Sequence, residues 1–132
     1  MKNILRIVLG AFLTFAGYSH FSNTSEFIAQ VPPFFPNPEI VIYVSGVFEI
    51  LLGSSLIFIK KFREYIGVAA AMFFVIIFPG NLSQFFNHVD GFGLDTDSAR
   101  FIRLLFQPVL VVWAIWSTNS FGTLKKLWRR EV

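Results

Sequence analysis

Four stretches of the chain are apolar almost without interruption, with polar residues gathered between them: Ile4 to Phe21, Ile40 to Ile59, Tyr65 to Phe86 and Phe101 to Thr118. A hydrocarbon layer of about 30 Å needs about 20 helical residues at about 1.5 Å each, so every stretch is long enough to cross it. The pattern predicts an all-α fold, a membrane-embedded antiparallel four-helix bundle built from residues 1–132 as one domain. The connection from Lys60 to Glu64 is short, which predicts that the second and third spans are packed neighbours. Arg6, close to the start of the first span, is expected to snorkel to the headgroups.

The other two connections differ in kind. Residues 22–38 read SNTSEFIAQVPPFFPNP. Ser or Thr ahead of Glu26 is expected to cap a short helical turn, and Pro32, Pro33, Pro36 and Pro38 to stop any continuation. Phe27, Ile28, Phe34 and Phe35 are too apolar for water, so this first outer loop is expected to hold a short interfacial segment lying as a lid over the bundle mouth. The second outer loop, HVDGFGLDTDSAR, carries three aspartates without the alternating ligands and closing glutamate of a calcium loop. Its expected role is to turn the chain and cap the fourth helix.

Composition narrows the class. With 55% hydrophobic, 18% aromatic and only 14% charged residues, the chain cannot cover a soluble surface, and it is the reverse of a disordered composition. The absence of cysteine excludes thiol catalysis, disulfide relays and covalent haem attachment. Of 11 Lys and Arg, all but Arg100 and Arg103 lie at the N-terminus, between spans two and three, or at the C-terminus. That excess marks the cytoplasmic side and predicts a multi-pass protein with both termini in the cytoplasm. The first apolar run is too long for a signal peptide and no A-x-A pattern follows, so the span is read as retained. The net charge of +3 then reads as topology and affinity for anionic headgroups; nucleic acid is not an expected partner.

The polar residues inside the spans are the candidates for chemistry. Glu49 lies about 14 Å along the helix from Ile40, near the midplane, where a lipid-facing carboxylate costs about 2.5–3.5 kcal/mol even on mild scales. It should face the bundle interior. Ser45, Glu49 and Gly53 recur at four-residue spacing beside Gly46, and Gly10, Thr14 and Gly17 lead to His20; both stripes suit close helix contact. Asn81 and Gln84 on span three and Arg103 and Gln107 on span four fall in the outer half, with Pro79 and Pro108 beside them freeing backbone carbonyls. Glu49 and His20 are the candidate catalytic residues; Asn81, Gln84, Arg103, Gln107 and Ser45 are the candidate ligand-binding ones, with no metal site. Interhelical glue competes with a functional pocket as the reading of this constellation. His88 reads as a loop-proximal residue, and Trp113, Trp116 and Trp128 as packing and interface anchors.

GYSHF at 17–21, VPPFFP at 31–36, SGVFEILLG at 45–53, FPGN at 78–81 and RLLFQ at 103–107 carry a resemblance. Through them the chain resembles the DoxX-like family of small four-helix membrane proteins, over nearly its whole length. The resemblance implies the bacterial cytoplasmic (inner) membrane. It also implies a link to redox systems, since named relatives look like subunits of thiosulfate:quinone oxidoreductase or partners in membrane-linked thiol and oxidative-stress systems. This chain has no cysteine, so a redox role needs a bound quinone, sulfur compound or partner oxidoreductase, membrane-bound or soluble.

Three functions stay open. One is a redox-associated subunit or accessory with an outer-half pocket for a quinone-like or other lipophilic molecule. Here His20, Arg103 and Gln107 would donate to its oxygens, with Glu49 as proton relay. Another is an enzyme or receptor for a lipophilic molecule using Glu49 for proton transfer. The third is an assembly module whose polar cluster specifies packing. Haem on His20 and His88 is disfavoured, since two lone histidines are weak evidence.

Overall fold

A computed structural model of the protein describes residues 1–89 and 96–131, apart from the side chains of Ala29, Arg130 and Glu131. Four long helices form the bundle: α1 (Lys2–Ser22), α3 (Pro38–Phe58), α4 (Arg63–Phe86) and α5 (Asp97–Ser117). Between α1 and α3 lie the single-turn α2 (Thr24–Phe27) and a 3-10 turn (Ile28–Gln30), and α6 (Phe121–Glu131) follows α5. There is no strand among the described residues. The end carrying the segment between α1 and α3 is called the outer end, and α6 lies at the other.

All four long helices are apolar enough to cross a membrane, and at most 44% of the most apolar stretch of any one is buried inside the bundle. The rest presents side chains such as Phe15, Phe48, Leu51, Ile76 and Val109 outward. Inside, Leu9, Leu13, Leu56, Ala70, Ala71, Phe74, Leu110, Ala114 and Ile115 form one core.

The bundle is two tight pairs, α1 with α3 and α4 with α5, which meet along a sparser seam. Helices α3 and α4 are neighbours, as their short connection suggests, and they meet along this sparser seam. Small residues decide the pairing. A Cβ on Gly17 would lie 2.8 Å from the Gly46 carbonyl oxygen, and one on Gly53 would lie 2.6 Å from that of Gly10. The α1 and α3 backbones are therefore in direct contact at two levels, which no larger side chain allows.

Arg6 departs from the sequence expectation. It does not snorkel outward: it is buried, and its Nη1 donates to the Leu56 carbonyl at the end of α3. The last turn of a helix offers carbonyls without intrahelical partners and a negative dipole end, which is where a cation is best held.

The outer segment covers the bundle as expected, with two differences of detail. The Thr24 hydroxyl does not cap α2 but donates back to the His20 carbonyl at 2.8 Å. Pro38 is the first residue of α3, where its missing N–H costs nothing. The segment is seated closely on α4, because a Cβ on Gly80 would run into the Gln30 carbonyl oxygen. In the second outer loop, Thr96 Oγ1 accepts from the Ala99 N–H at 3.1 Å, which caps α5. The expectation of a turn at Asp90 and Asp95 lies outside the described residues.

Helices α4 and α5 end alike. His88 (φ 54°) and Asn119 (φ 58°) are left-handed, with paired backbone bonds closing the last turns: Val89 N–H to Gln84 O at 3.1 Å and Ser120 N–H to Ile115 O at 2.9 Å. This is the Schellman arrangement with His and Asn in the place usually taken by glycine. After Asn119 it directs the chain into α6, which is pinned to α4 by Ser120 Oγ donating to the Glu64 carbonyl and Thr123 Oγ1 to the Glu64 carboxylate, both at 2.8 Å. Replacing Ser120 with Ala and Thr123 with Val is expected to cost about 1 kcal/mol each and to raise amide exchange in α6 while α1 and α3 keep their protection. Unchanged α6 exchange would rule out these bonds as its anchor.

Candidate functional site

The candidate residues assemble into three groups. In the first, His20 of α1 meets Glu49 and Ser45 of α3. Side chains on both helices lean toward their own N-termini, so His20 leans inward, Glu49 outward, and they meet although their backbones start at different depths. His20 Nε2 lies 2.9 Å from Glu49 Oε2, and both side chains are buried. Nδ1 lies 2.9 Å from the Ile42 carbonyl oxygen and 3.1 Å from Ser45 Oγ, whose hydroxyl donates to the same carbonyl at 3.0 Å. The Phe27 ring of α2 covers the imidazole at a centroid distance of 4.0 Å. Gly46 makes room for all this, since a Cβ there would stand 2.8 Å from His20 Cβ.

These contacts fix the proton inventory. A carbonyl only accepts, so Nδ1 carries a hydrogen. The Nε2 to Oε2 contact then needs one more, on the ring or on the carboxyl. Either way the pair is neutral overall, as imidazolium with carboxylate or imidazole with carboxylic acid. A neutral pair avoids most of the penalty that an isolated carboxylate meets away from water. It also has one mobile proton.

In the second group, on α4 and α5, Arg103 Nη1 donates to Gln107 Oε1 at 3.0 Å and Gln107 Nε2 donates to the Phe74 carbonyl at 2.7 Å. Asn81 Nδ2 is 3.5 Å from the same Gln107 oxygen, and Asn81 Oδ1 is buried with no hydrogen-bond partner. Gln107 lies one turn deeper than Arg103, so the guanidinium is held inward. It stands within Coulombic range of Glu49 across the seam, yet forms no ion pair with any described residue.

Gln84 stands apart from both. Its Nε2 and the Arg100 Nε each donate to the Val89 carbonyl at 3.1 Å, and Arg100 also bonds Asp97 at 2.9 Å. His88 pairs with Asp97 at 2.6 Å. Gln84 and His88 therefore stitch the end of α4 to the start of α5.

Sequence reasoning placed one constellation under the outer loops, and the structure divides it between the helix pairs. A cleft of about 380 Å³ lies between the outer segment and the end of α4, lined by residues such as Val31, Pro32, Phe35, Ser83 and Asn87 and by none of the candidate residues. Buried Arg6 was missed as a polar interior residue, and so were buried Thr118, Ser120 and Thr123, the last two of which bond exposed Glu64 at the other end. No signal in the sequence separates a buried Arg6 from a snorkelling one, because its partner is the backbone carbonyl of Leu56.

Residues 9–118 match the family model described as Domain of unknown function (DUF8561). The chain belongs to this family. Its matched region takes in α1 from Leu9 through the end of α5, and so all three polar groups. No curated protein and no solved structure matches the chain.

Proposed function

We propose that the protein is a DoxX-like multi-pass protein of the bacterial cytoplasmic membrane, with both termini in the cytoplasm. It serves a membrane-linked redox system by holding the polar head of a quinone-like molecule between its two helix pairs. The observation that carries this reading is the unbalanced polarity at the seam. Arg103 is held inward without a counter-ion among the described residues, the pair it faces is neutral overall, and Asn81 Oδ1 is a buried acceptor with nothing to accept from. A quinone oxygen accepts from a guanidinium, and a quinol hydroxyl donates to an amide oxygen. Reduction of the quinone to quinol takes two electrons from the partner oxidoreductase, since this chain has no cysteine, and two protons passed one after the other through His20 and Glu49. The apolar cleft under the outer segment offers space for an isoprenoid tail.

The test is extraction of the purified protein with organic solvent, followed by thermal unfolding with added quinone. Quinone in the extract is expected, together with about 2.7 kcal/mol of stabilisation at a free concentration of ~100 times Kd, lost in Arg103→Gln. An extract without quinone and an unchanged unfolding temperature would sink the reading. The assembly reading is favoured by one specific observation: both ring nitrogens of His20 already have partners inside the protein. It predicts that Arg103→Gln changes stability and that no small molecule does.

A further inference from the structure

Helix α6 has three distinct sides at about 100° per residue. Thr123, buried, and Leu127, half-buried, face the bundle. The next side presents Phe121, Leu124 and Trp128, which are 53%, 38% and 69% exposed. Beyond it come Lys125, Arg129 and Lys126, all exposed. The apolar strip therefore lies between the bundle and the basic strip. That is the order required of a helix lying in a bilayer interface, with protein on one side, hydrocarbon below and headgroups above.

The helix is also held in one place. The left-handed turn at Asn119 sets its direction, Ser120 and Thr123 bind Glu64, and Lys2 Nζ donates to Asn119 Oδ1 at 2.7 Å. Exposed Lys60 and Lys61 lie at the same end, in the connection that leads to the start of α4, where α6 is anchored. A second copy of this face would bring like charges together, which argues against self-association as what covers the strip.

We infer that α6 is a binding site for anionic phospholipid, with Lys125 and Arg129 meeting headgroup phosphates and Phe121, Leu124 and Trp128 seated at the acyl boundary. The inference rests on the membrane reading above and is independent of the quinone ligand. An interfacial tryptophan beside cations reports its own lipid neighbours.

The experiment uses the full chain carrying Trp113→Phe and Trp116→Phe, reconstituted in bilayers, so that Trp128 alone fluoresces. Bromine-labelled phosphatidylglycerol is expected to quench it about twofold or more over the same fraction of labelled phosphatidylcholine. The excess disappears in Lys125→Gln/Lys126→Gln/Arg129→Gln and shrinks as salt is raised. Equal quenching by the two lipids overturns the inference while leaving the membrane reading intact. Absence of quenching by either overturns it in favour of a protein covering the strip. A chain that does not enter bilayers at all overturns the membrane reading and this inference with it. If the tryptophan replacements prevent folding, the unaltered chain is unfolded thermally in bilayers with and without phosphatidylglycerol. A rise that the triple-glutamine variant lacks supports the site, and no rise overturns it.

Discussion

Gly53→Leu is expected to separate α1 from α3 and to leave little folded protein. A single Cβ at this position would already stand 2.5 Å from Thr14 Oγ1, 2.6 Å from the Gly10 carbonyl oxygen and 2.6 Å from the Thr14 nitrogen. Two of those atoms are backbone in a helix, so relief requires moving the whole helix. Overpacking by smaller groups costs about 1–3 kcal/mol, and a leucine here should exceed that range. Gly122→Leu is the matched control, because a Cβ there meets nothing within 4 Å. On α6 that change replaces a poor helix former with a good one and should be neutral or slightly stabilising. Monodispersity in detergent and thermal unfolding read both variants, and a Gly53→Leu protein as stable as its control would refute the direct backbone contact.

Glu49→Ala should cost about 2–3 kcal/mol. Truncating one partner of a buried ion pair costs about 3–5 kcal/mol when the other is stranded with its charge. Here the loss is smaller, because without Glu49 the Nδ1 hydrogen of His20 keeps the Ile42 carbonyl as its partner. What is lost is one hydrogen bond, with about 1–3 kcal/mol for the unsatisfied Nε2, and the packing of the removed atoms. Glu49→Gln should cost less, since an amide N–H can donate to Nε2. It removes the mobile proton while keeping the contact, which separates a role in proton transfer from a role in packing. In a double-mutant cycle, His20→Ala with Glu49→Ala should be less destabilising than the sum of the single changes. Additive costs would show that the two residues do not act as a pair.

The four long helices were legible because length and apolarity alone dictate them, and only their ends moved. Helix α5 starts at Asp97, ahead of Phe101, because Thr96 supplies a cap that hydropathy does not register. The meeting of His20, Ser45 and Glu49 was also legible, since the stripes on which they sit are lined with glycines that permit contact. Which helices pair was not. A short connection makes α3 and α4 neighbours, which they are, but the tightest pairing is set by the stripes Gly10/Gly17 and Gly46/Gly53, which match each other. The division of the polar residues into separate groups follows from that pairing. Helix α6 was hidden for a different reason: its start depends on a left-handed Asn119, a position where glycine is the usual signal.

The two tight pairs are each joined by a connection at the same end, and the short link at Ile59 to Phe62 is what ties one pair to the other. The protein is thus a tandem of two helical hairpins. During synthesis the first hairpin can close, and bring His20 to Glu49, before the second is complete. Contacts close in sequence form early, so the seam that holds Arg103 opposite Glu49 is assembled last.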